Sequence, residues 1–184
     1  SIDPNHYSNE VDYSDAIENK KHWMNKYDKD DAYKLDPSDY DCEEEYLNDL
    51  RVCWQDKYDP KFKTNIDVFD YDTEADYRKS LINNWQETYD SQHRFNSFQF
   101  ERFTTVDDYL VELNDRINWI KKCDPDGVYN KIDPSKYDNM FQYQHVLDLR
   151  KAWKNKYDPN NEHTNIDPCD YSSVEEYHKA IMDD

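Results

Sequence analysis

Residues 35–58 read LDPSDYDCEEEYLNDLRVCWQDKY, and this stretch holds every part of a motif that recurs along the chain. An anchor ring, Tyr40, follows Leu-Asp-Pro, and a second ring, Tyr46, comes six residues later. Trp54 and Tyr58 then lie four residues apart near the end. Asp followed by Pro suits the start of a short helical turn, and rings at this spacing share one face of a helix. The stretch therefore predicts a short turn followed by an amphipathic helix.

The same motif returns throughout the sequence, with anchor rings separated by 33, 31, 32, 34 and 34 residues. The anchor rings are Tyr7, Tyr40, Tyr71, Phe103, Tyr137 and Tyr171. A single helix with one apolar stripe cannot bury that stripe by itself, so neighbouring copies must stack. We therefore predict an all-α fold: a tandem repeat of about six copies of ~33 residues, each one amphipathic helix plus an Asp-Pro-x-x-Tyr turn, stacked as a solenoid or an irregular bundle.

Signals for the beginning of each helix follow the anchor rings by two residues. Thr73 with Asp76 and Ser173 with Glu176 have the spacing of capping boxes. Asn9 with Asp12 and Thr105 with Asp108 match the capping box less closely. Cys42 occupies the N-cap position of copy two, where cysteine is a poor capping residue.

The ends of the helices fall near Tyr-Asp-Pro, at Tyr58-Asp59-Pro60 and Tyr157-Asp158-Pro159, because proline cannot continue a helix. In copies two and three the interval from second ring to Trp is eight residues instead of ten. The helices of these two copies should be about half a turn shorter.

The domain organisation follows from the repeat. We predict a single helical repeat domain over residues 1–184, with possible halves 1–90 and 103–184 joined by irregular residues 91–102. No apolar run approaches the ~20 residues needed to span a bilayer, and no signal-peptide pattern is visible. The expected location is cytoplasmic unless a leader was removed before Ser1, with no membrane association. The oligomeric state stays open.

Residues suited to catalysis do not form a recognisable pattern. The one glycine, Gly127, excludes glycine-rich phosphate loops. The six histidines do not share one repeat position, and their spacing suggests no nucleophile arrangement. The four cysteines form no Cys-x-x-Cys pair, so free thiols are expected, with disulfides or a metal site as alternatives. We predict a protein that is not an enzyme and that uses no cofactor.

Charge gives the leading functional hypothesis. The chain has 42 acids against 23 bases, a formal charge of -19, and residues 1–102 carry -12 of it. Six helices stacked ~10 Å apart would carry about one net charge per 3 Å, roughly half the density of B-DNA. Such a field favours a basic protein partner and disfavours direct nucleic-acid binding, since phosphate contacts require basic side chains. The alternative is that the acidic residues have no binding role and only keep an aromatic-rich protein soluble.

The sharper form of this hypothesis is a nucleic-acid-mimicking inhibitor of a basic DNA- or RNA-binding protein, as a phage or mobile element would encode. The candidate acidic interaction surface consists of Asp39, Asp41, Glu43, Glu44, Asp70, Asp72, Glu74 and Asp76. The alternative function is a Ca²⁺-binding or scaffold repeat module, because carboxylates are the oxygen ligands that Ca²⁺ prefers. The spacing of an EF-hand loop and its central glycine are both missing, so no metal-ligating residue is assigned.

Overall fold

The structure, a computed structural model, describes residues 3–184 and is all-helical, with 63% helix and no strand in that range. Its helices are α1 (Glu10–Tyr27), α2 (Glu43–Tyr58), α3 (Glu74–Tyr89), α4 (Val106–Cys123), α5 (Met140–Tyr157) and α6 (Val174–Asp183). A short 3-10 turn precedes each helix: Pro4–His6, Pro37–Asp39, Val68–Asp70, Phe100–Arg102, Pro134–Lys136 and Pro168–Asp170. The predicted all-helical tandem repeat is confirmed.

An aspartate begins most of these short turns. The Asp36 carboxylate accepts the Ser38 N–H at 2.8 Å, as an N-cap does. In copy three, which has no proline, Asp67 still accepts the Phe69 N–H at 3.0 Å. Copy four has Gln99 at this position, without a side-chain cap bond. The aspartate therefore supports the turn, and proline is dispensable.

The predicted signals for helix starts are confirmed where the structure describes them. Ser173 accepts the Glu176 N–H at 3.2 Å, and Thr73 accepts the Asp76 N–H at 3.2 Å. Cys42 makes no side-chain cap bond. Helices α2 and α3 have 16 residues, whereas α1, α4 and α5 have 18. The shorter helices of copies two and three are thus also as predicted.

Paired rings build the core within each copy. The anchor ring and the second ring pack with centroids 5.4 to 5.9 Å apart in all six copies. Five second rings are 0% exposed: Tyr46, Tyr77, Tyr109, Tyr143 and Tyr177. Such tilted and edge-on ring pairs add stabilisation beyond the area they bury.

The tryptophan of one copy covers the second ring of the next copy. Trp23 lies 6.5 Å from Tyr46, and Trp153 lies 6.5 Å from Tyr177, centroid to centroid. Tyr13, which has no preceding copy among the described residues, is only half-buried. Consecutive copies therefore stack in chain order within each compact unit.

A buried aspartate closes the loop after each of the first five helices. These loop carboxylates, 2 to 6% exposed, are Asp28, Asp59, Asp90, Asp124 and Asp158. Each accepts backbone N–H groups four and five residues further along the chain. Helix α1 ends at Tyr27 although Asp28 is followed by lysine instead of proline. The prediction that proline terminates the helices was incomplete, since the loop carboxylate is the feature that all five ends share.

The third residue after each loop carboxylate adopts a left-handed backbone. These residues, with φ between 49° and 65°, are Asp31, Phe62, His93, Gly127 and Asn161. Their N–H groups donate to the carbonyl oxygens of the loop aspartates at 2.8 to 3.1 Å, which forms a tight turn. Gly, Asn and Asp tolerate this conformation. The only glycine of the chain therefore lies where the loop requires a positive φ.

The chain divides into two compact units. The first comprises the chain through Tyr89 together with Thr104–Val106, and the second comprises Asp90–Phe103 and Asp107–Asp184. The irregular residues 91–102, predicted as a connection between halves, belong to the second unit. All four cysteines are free. Among residues 3–184, no helix has both the length and the apolar character required to cross a bilayer.

The burial of the tryptophans gives a test of the core. Trp54 is 0% exposed, whereas Trp153 is half-buried. Trp54→Ala should lower the free energy of unfolding by about 3–5 kcal/mol, because it leaves a large cavity. Trp153→Ala should cost clearly less, because its ring already contacts solvent. Urea denaturation followed by circular dichroism measures both, and equal losses would contradict the described packing.

Candidate functional site

Four exposed aspartates of the predicted acidic surface occupy matching positions in two consecutive copies. Asp39 and Asp70 precede the anchor rings of copies two and three, and Asp41 and Asp72 follow them. All four are exposed, and the Asp72 side chain is 88% exposed. We call these the acidic pairs, Asp39/Asp41 and Asp70/Asp72. They lie in the first compact unit, at the turns that lead into α2 and α3.

A buried arginine compensates part of this charge. Arg51 is 6% exposed, and its guanidinium donates to Glu44 at 2.9 Å and to Asp72 at 3.0 Å. The same side chain donates from Nε to the Tyr71 carbonyl at 2.8 Å. Arg51 thereby links α2 to the anchor segment of copy three. Sequence reasoning missed it because its partners lie in two different copies.

Two glutamates of the predicted surface act as clamps between copies. Glu43 accepts hydrogen bonds from Lys26 and Tyr27, both at 2.8 Å. Glu74 holds the equivalent position 31 residues later. It accepts from Lys57 at 2.9 Å and from the hydroxyls of Tyr58 at 2.5 Å and Tyr33 at 2.6 Å. These two side chains join successive copies.

The clamp at Glu74 favours the ionised carboxylate. Burial raises the pKa of Glu74, but the hydrogen bonds from Tyr33, Tyr58 and Lys57 lower it by more, so that the pKa lies below its ordinary value. Burial and the bond to Glu74 likewise raise the pKa of Tyr58. At neutral pH the clamp thus consists of a carboxylate, an ammonium group and two neutral phenols.

The second compact unit replaces this polar clamp by apolar residues. Met140 and Val174 are the first residues of α5 and α6, as Glu43 and Glu74 are of α2 and α3. The ring of Tyr157 stacks on His178 at 4.1 Å instead of donating to a glutamate. The clamped acidic arrangement is therefore a property of copies one to three.

An apolar groove lies beside the second acidic pair. It has a volume of about 400 Å³ and is lined by Val52, Ile66, Val68 and Phe69 with polar neighbours that include Asp56 and Asp67. Phe62, also in its lining, is 74% exposed and has a φ of 50°. A bulky side chain in the left-handed region is strained. The matching residues in the other copies are Asp31, His93, Gly127 and Asn161, so the repeat pattern does not predict an exposed phenylalanine here.

The last residue of the predicted surface, Asp76, is exposed and accepts the Thr73 hydroxyl at 2.6 Å within its helix cap. Among residues 3–184, no three His, Cys, Asp or Glu side chains are grouped so that they could hold a metal ion. No protein-family model, curated protein or solved structure matches this chain.

The Glu74 clamp predicts a specific pH dependence of stability. Because the folded pKa lies below the ordinary value of 4.5, the stabilisation is fully present above that value and is lost as the pH falls through the lowered folded pKa. Glu74→Gln should lower the free energy of unfolding by about 1–2 kcal/mol at pH 7, allowing for solvent screening.

The loss caused by this substitution should shrink as the pH falls through the lowered folded pKa of Glu74, where the wild-type carboxylate becomes protonated as well. Glu87→Gln, an exposed change on the same helix, is the matched control and should stay within about 0.5 kcal/mol at every pH. Denaturant melts at a series of pH values measure both variants. A loss at Glu74 that is independent of pH would contradict an ionised clamp.

Proposed function

We propose that this protein is a non-catalytic acidic interaction module whose first compact unit binds the basic surface of another protein. The observation that supports this most directly is the recurrence of the acidic pairs Asp39/Asp41 and Asp70/Asp72 at identical positions of consecutive copies, all four residues exposed. A repeated array of carboxylates offers a basic partner several regularly spaced contacts.

The structure around the acidic pairs limits their movement. Glu43 and Glu74 fix the register between copies, and Arg51 holds the segment that carries Tyr71 and Asp72. A preorganised surface loses less conformational entropy on binding, which favours affinity and specificity.

The apolar groove supplies an anchor next to the charges. Exposed Phe62 and Phe69 line this groove together with Asp67, and Asp70 follows Phe69 in the chain. Binding energy at protein interfaces concentrates in buried apolar and aromatic contacts, whereas rim charges mainly steer association. The partner we propose therefore presents an apolar side chain within a basic surface.

In its sharper form the proposal is a nucleic-acid mimic, encoded by a phage or a mobile element, that occupies the basic groove of a DNA- or RNA-binding protein. Support comes from the formal charge of -19 and from the recurrence of exposed acidic pairs at matching positions of two consecutive copies. A Ca²⁺-binding or scaffold module is the alternative, but no specific observation favours it. We also propose that this protein is located in the cytoplasm, and that its partner is present in the same compartment.

The test uses the full chain and a panel of purified basic nucleases and DNA-binding proteins in biolayer interferometry. We expect at least one member of the panel to bind, with affinity falling as salt rises, and to be displaced by duplex DNA. Replacing Asp39, Asp41, Asp70 and Asp72 by Asn should weaken this binding by about tenfold or more.

A control variant removes the same number of charges from exposed positions in the same unit: Asp15, Glu18, Asp30 and Glu87. It should bind within about threefold of wild type, because long-range attraction alone changes affinity little at physiological salt. Phe62→Asn introduces the residue found at the matching Asn161 and should weaken binding without loss of stability. Equal losses of affinity in the two charge variants would show that the acidic residues act only through non-specific attraction. If the partner bound duplex DNA and this chain at the same time, the nucleic-acid mimic would be contradicted.

A further inference from the structure

A large polar cavity lies in the second compact unit, whereas the acidic pairs belong to the first. Its volume is about 790 Å³. The lining consists of Gln92, His93, Arg94, Asn96, Ser97, Gly127, Asn130, Lys131, Asp133 and Lys136. Three of these side chains are cationic and one is a carboxylate, which is the reverse of the overall charge of the chain. A cavity of this size matches the small-molecule sites of proteins, which measure about 300–1,000 Å³.

Two loops and one turn build the walls of this cavity, and hydrogen bonds hold each of them. The loop carboxylate Asp90 accepts the N–H groups of Arg94 and Phe95, both at 2.9 Å. Asp124 organises the opposite loop in the same way through Val128 and Tyr129, both at 2.9 Å.

The first wall is also tied to the turn before α5. The Ser97 N–H donates to the Ser135 hydroxyl oxygen at 3.0 Å, and that hydroxyl donates to Asp133 at 2.6 Å. The cavity is thus a preformed feature of the second unit and not a gap between mobile side chains.

Arg94 is the unusual residue of this cavity. Its Nε and Nη2 atoms are shielded from solvent and, among residues 3–184, have no hydrogen-bond partner. Shielding a guanidinium without a partner is costly. The Oδ2 atom of Asp133 in the same lining is also buried and without a partner within the described residues. The lining therefore contains a guanidinium that pairs with no carboxylate among the described residues, and its unshielded Nη1 atom is the nitrogen left open to a ligand.

The repeat itself does not require arginine at this position. The matching fourth residues after the other loop carboxylates are Ala32, Lys63, Val128 and Glu162. Each of them donates its backbone N–H to the loop carboxylate as Arg94 does, so the loop forms with any side chain. Lys131, by contrast, is already paired with Asp170 at 2.6 Å and Asp167 at 3.1 Å. Arg94 and exposed Lys136 thus provide the available positive charge.

We propose that this cavity is a binding site for a small hydroxylated oxyanion, a molecule that carries a phosphate or a carboxylate beside hydroxyl groups. The oxyanion would neutralise the charge of Lys136 and of Arg94, which it would contact through the unshielded Nη1 atom. The amides of Gln92, Asn96 and Asn130 suit further hydroxyl groups. This site is independent of the proposed interaction surface, because it lies in the other compact unit and has the opposite charge.

The test is isothermal titration calorimetry of the full chain with four probes: glucose 6-phosphate, gluconate, inorganic phosphate and glucose. We expect one-site binding of glucose 6-phosphate or gluconate, with inorganic phosphate weaker by about tenfold or more and glucose weaker still. The comparison of the first two probes distinguishes a phosphate from a carboxylate as the recognised group. Absence of saturable binding by all three oxyanions up to about 10 mM would overturn the proposal.

Two variants connect the binding to Arg94. Arg94→Gln should weaken the better probe by about tenfold or more, whereas Lys122→Gln, an exposed change in the same unit that does not line the cavity, should stay within about twofold. Arg94→Lys should fall between wild type and Arg94→Gln, because it keeps the charge but loses the planar fork.

Thermal melting separates ligand binding from a structural role of the arginine. An arginine held for its ligand is uncompensated in the free protein, so Arg94→Gln should melt at or above the wild-type temperature. If Arg94→Gln binds like Lys122→Gln, or melts well below both it and wild type, the guanidinium serves the fold and the proposal fails.

Discussion

The buried aspartate after each helix is the interaction on which the rest of the structure depends. Its carboxylate accepts two backbone N–H groups of the following loop, which would otherwise be buried without a partner. It thereby ends the helix, turns the chain and presents the next anchor ring. Its charge also reaches the second ring of the next copy: burial and the Asp28 charge raise the pKa of Tyr46 to about 12, and burial and the Asp124 charge do the same at Tyr143. One residue type thus links loop geometry to the stacking of copies.

Much of this fold could be predicted from the sequence because its information is local and repeated. The recurrence of the rings predicted the helices, their shared face and even the shorter α2 and α3. The Asp-Pro signature predicted the short turns. The role of the loop carboxylates was not predicted, although an aspartate follows Tyr27, Tyr58, Tyr89, Cys123 and Tyr157 in the sequence. Proline follows only some of these aspartates, but helix termination was attributed to proline because it cannot continue a helix.

The candidate sites were less predictable, because they depend on side chains that meet across copies. Glu43 and Glu74 read as surface acids in the sequence, yet phenols and lysines from the preceding copy bind them. Tyr33 reaches Glu74 from 41 residues away, a distance that follows from how copies stack and not from any one of them. The same holds for the cavity at Arg94, whose walls lie 38 residues apart along the chain. Copies of one motif have therefore diverged into an acidic surface in one unit and a cationic cavity in the other.

The most direct measurement of this account compares Asp59→Asn with Asp56→Asn by equilibrium denaturation. Asp59 is 2% exposed and accepts three hydrogen bonds from Lys63 and Thr64 at 2.7 to 3.0 Å, whereas Asp56 is an exposed residue in the last turn of α2. The account predicts that Asp59→Asn loses about 2–4 kcal/mol of unfolding free energy, because the amide turns a donor towards backbone donors. Asp56→Asn should change it by less than about 0.5 kcal/mol. Equal and small effects of the two substitutions would contradict the claim that the loop carboxylate fixes the repeat.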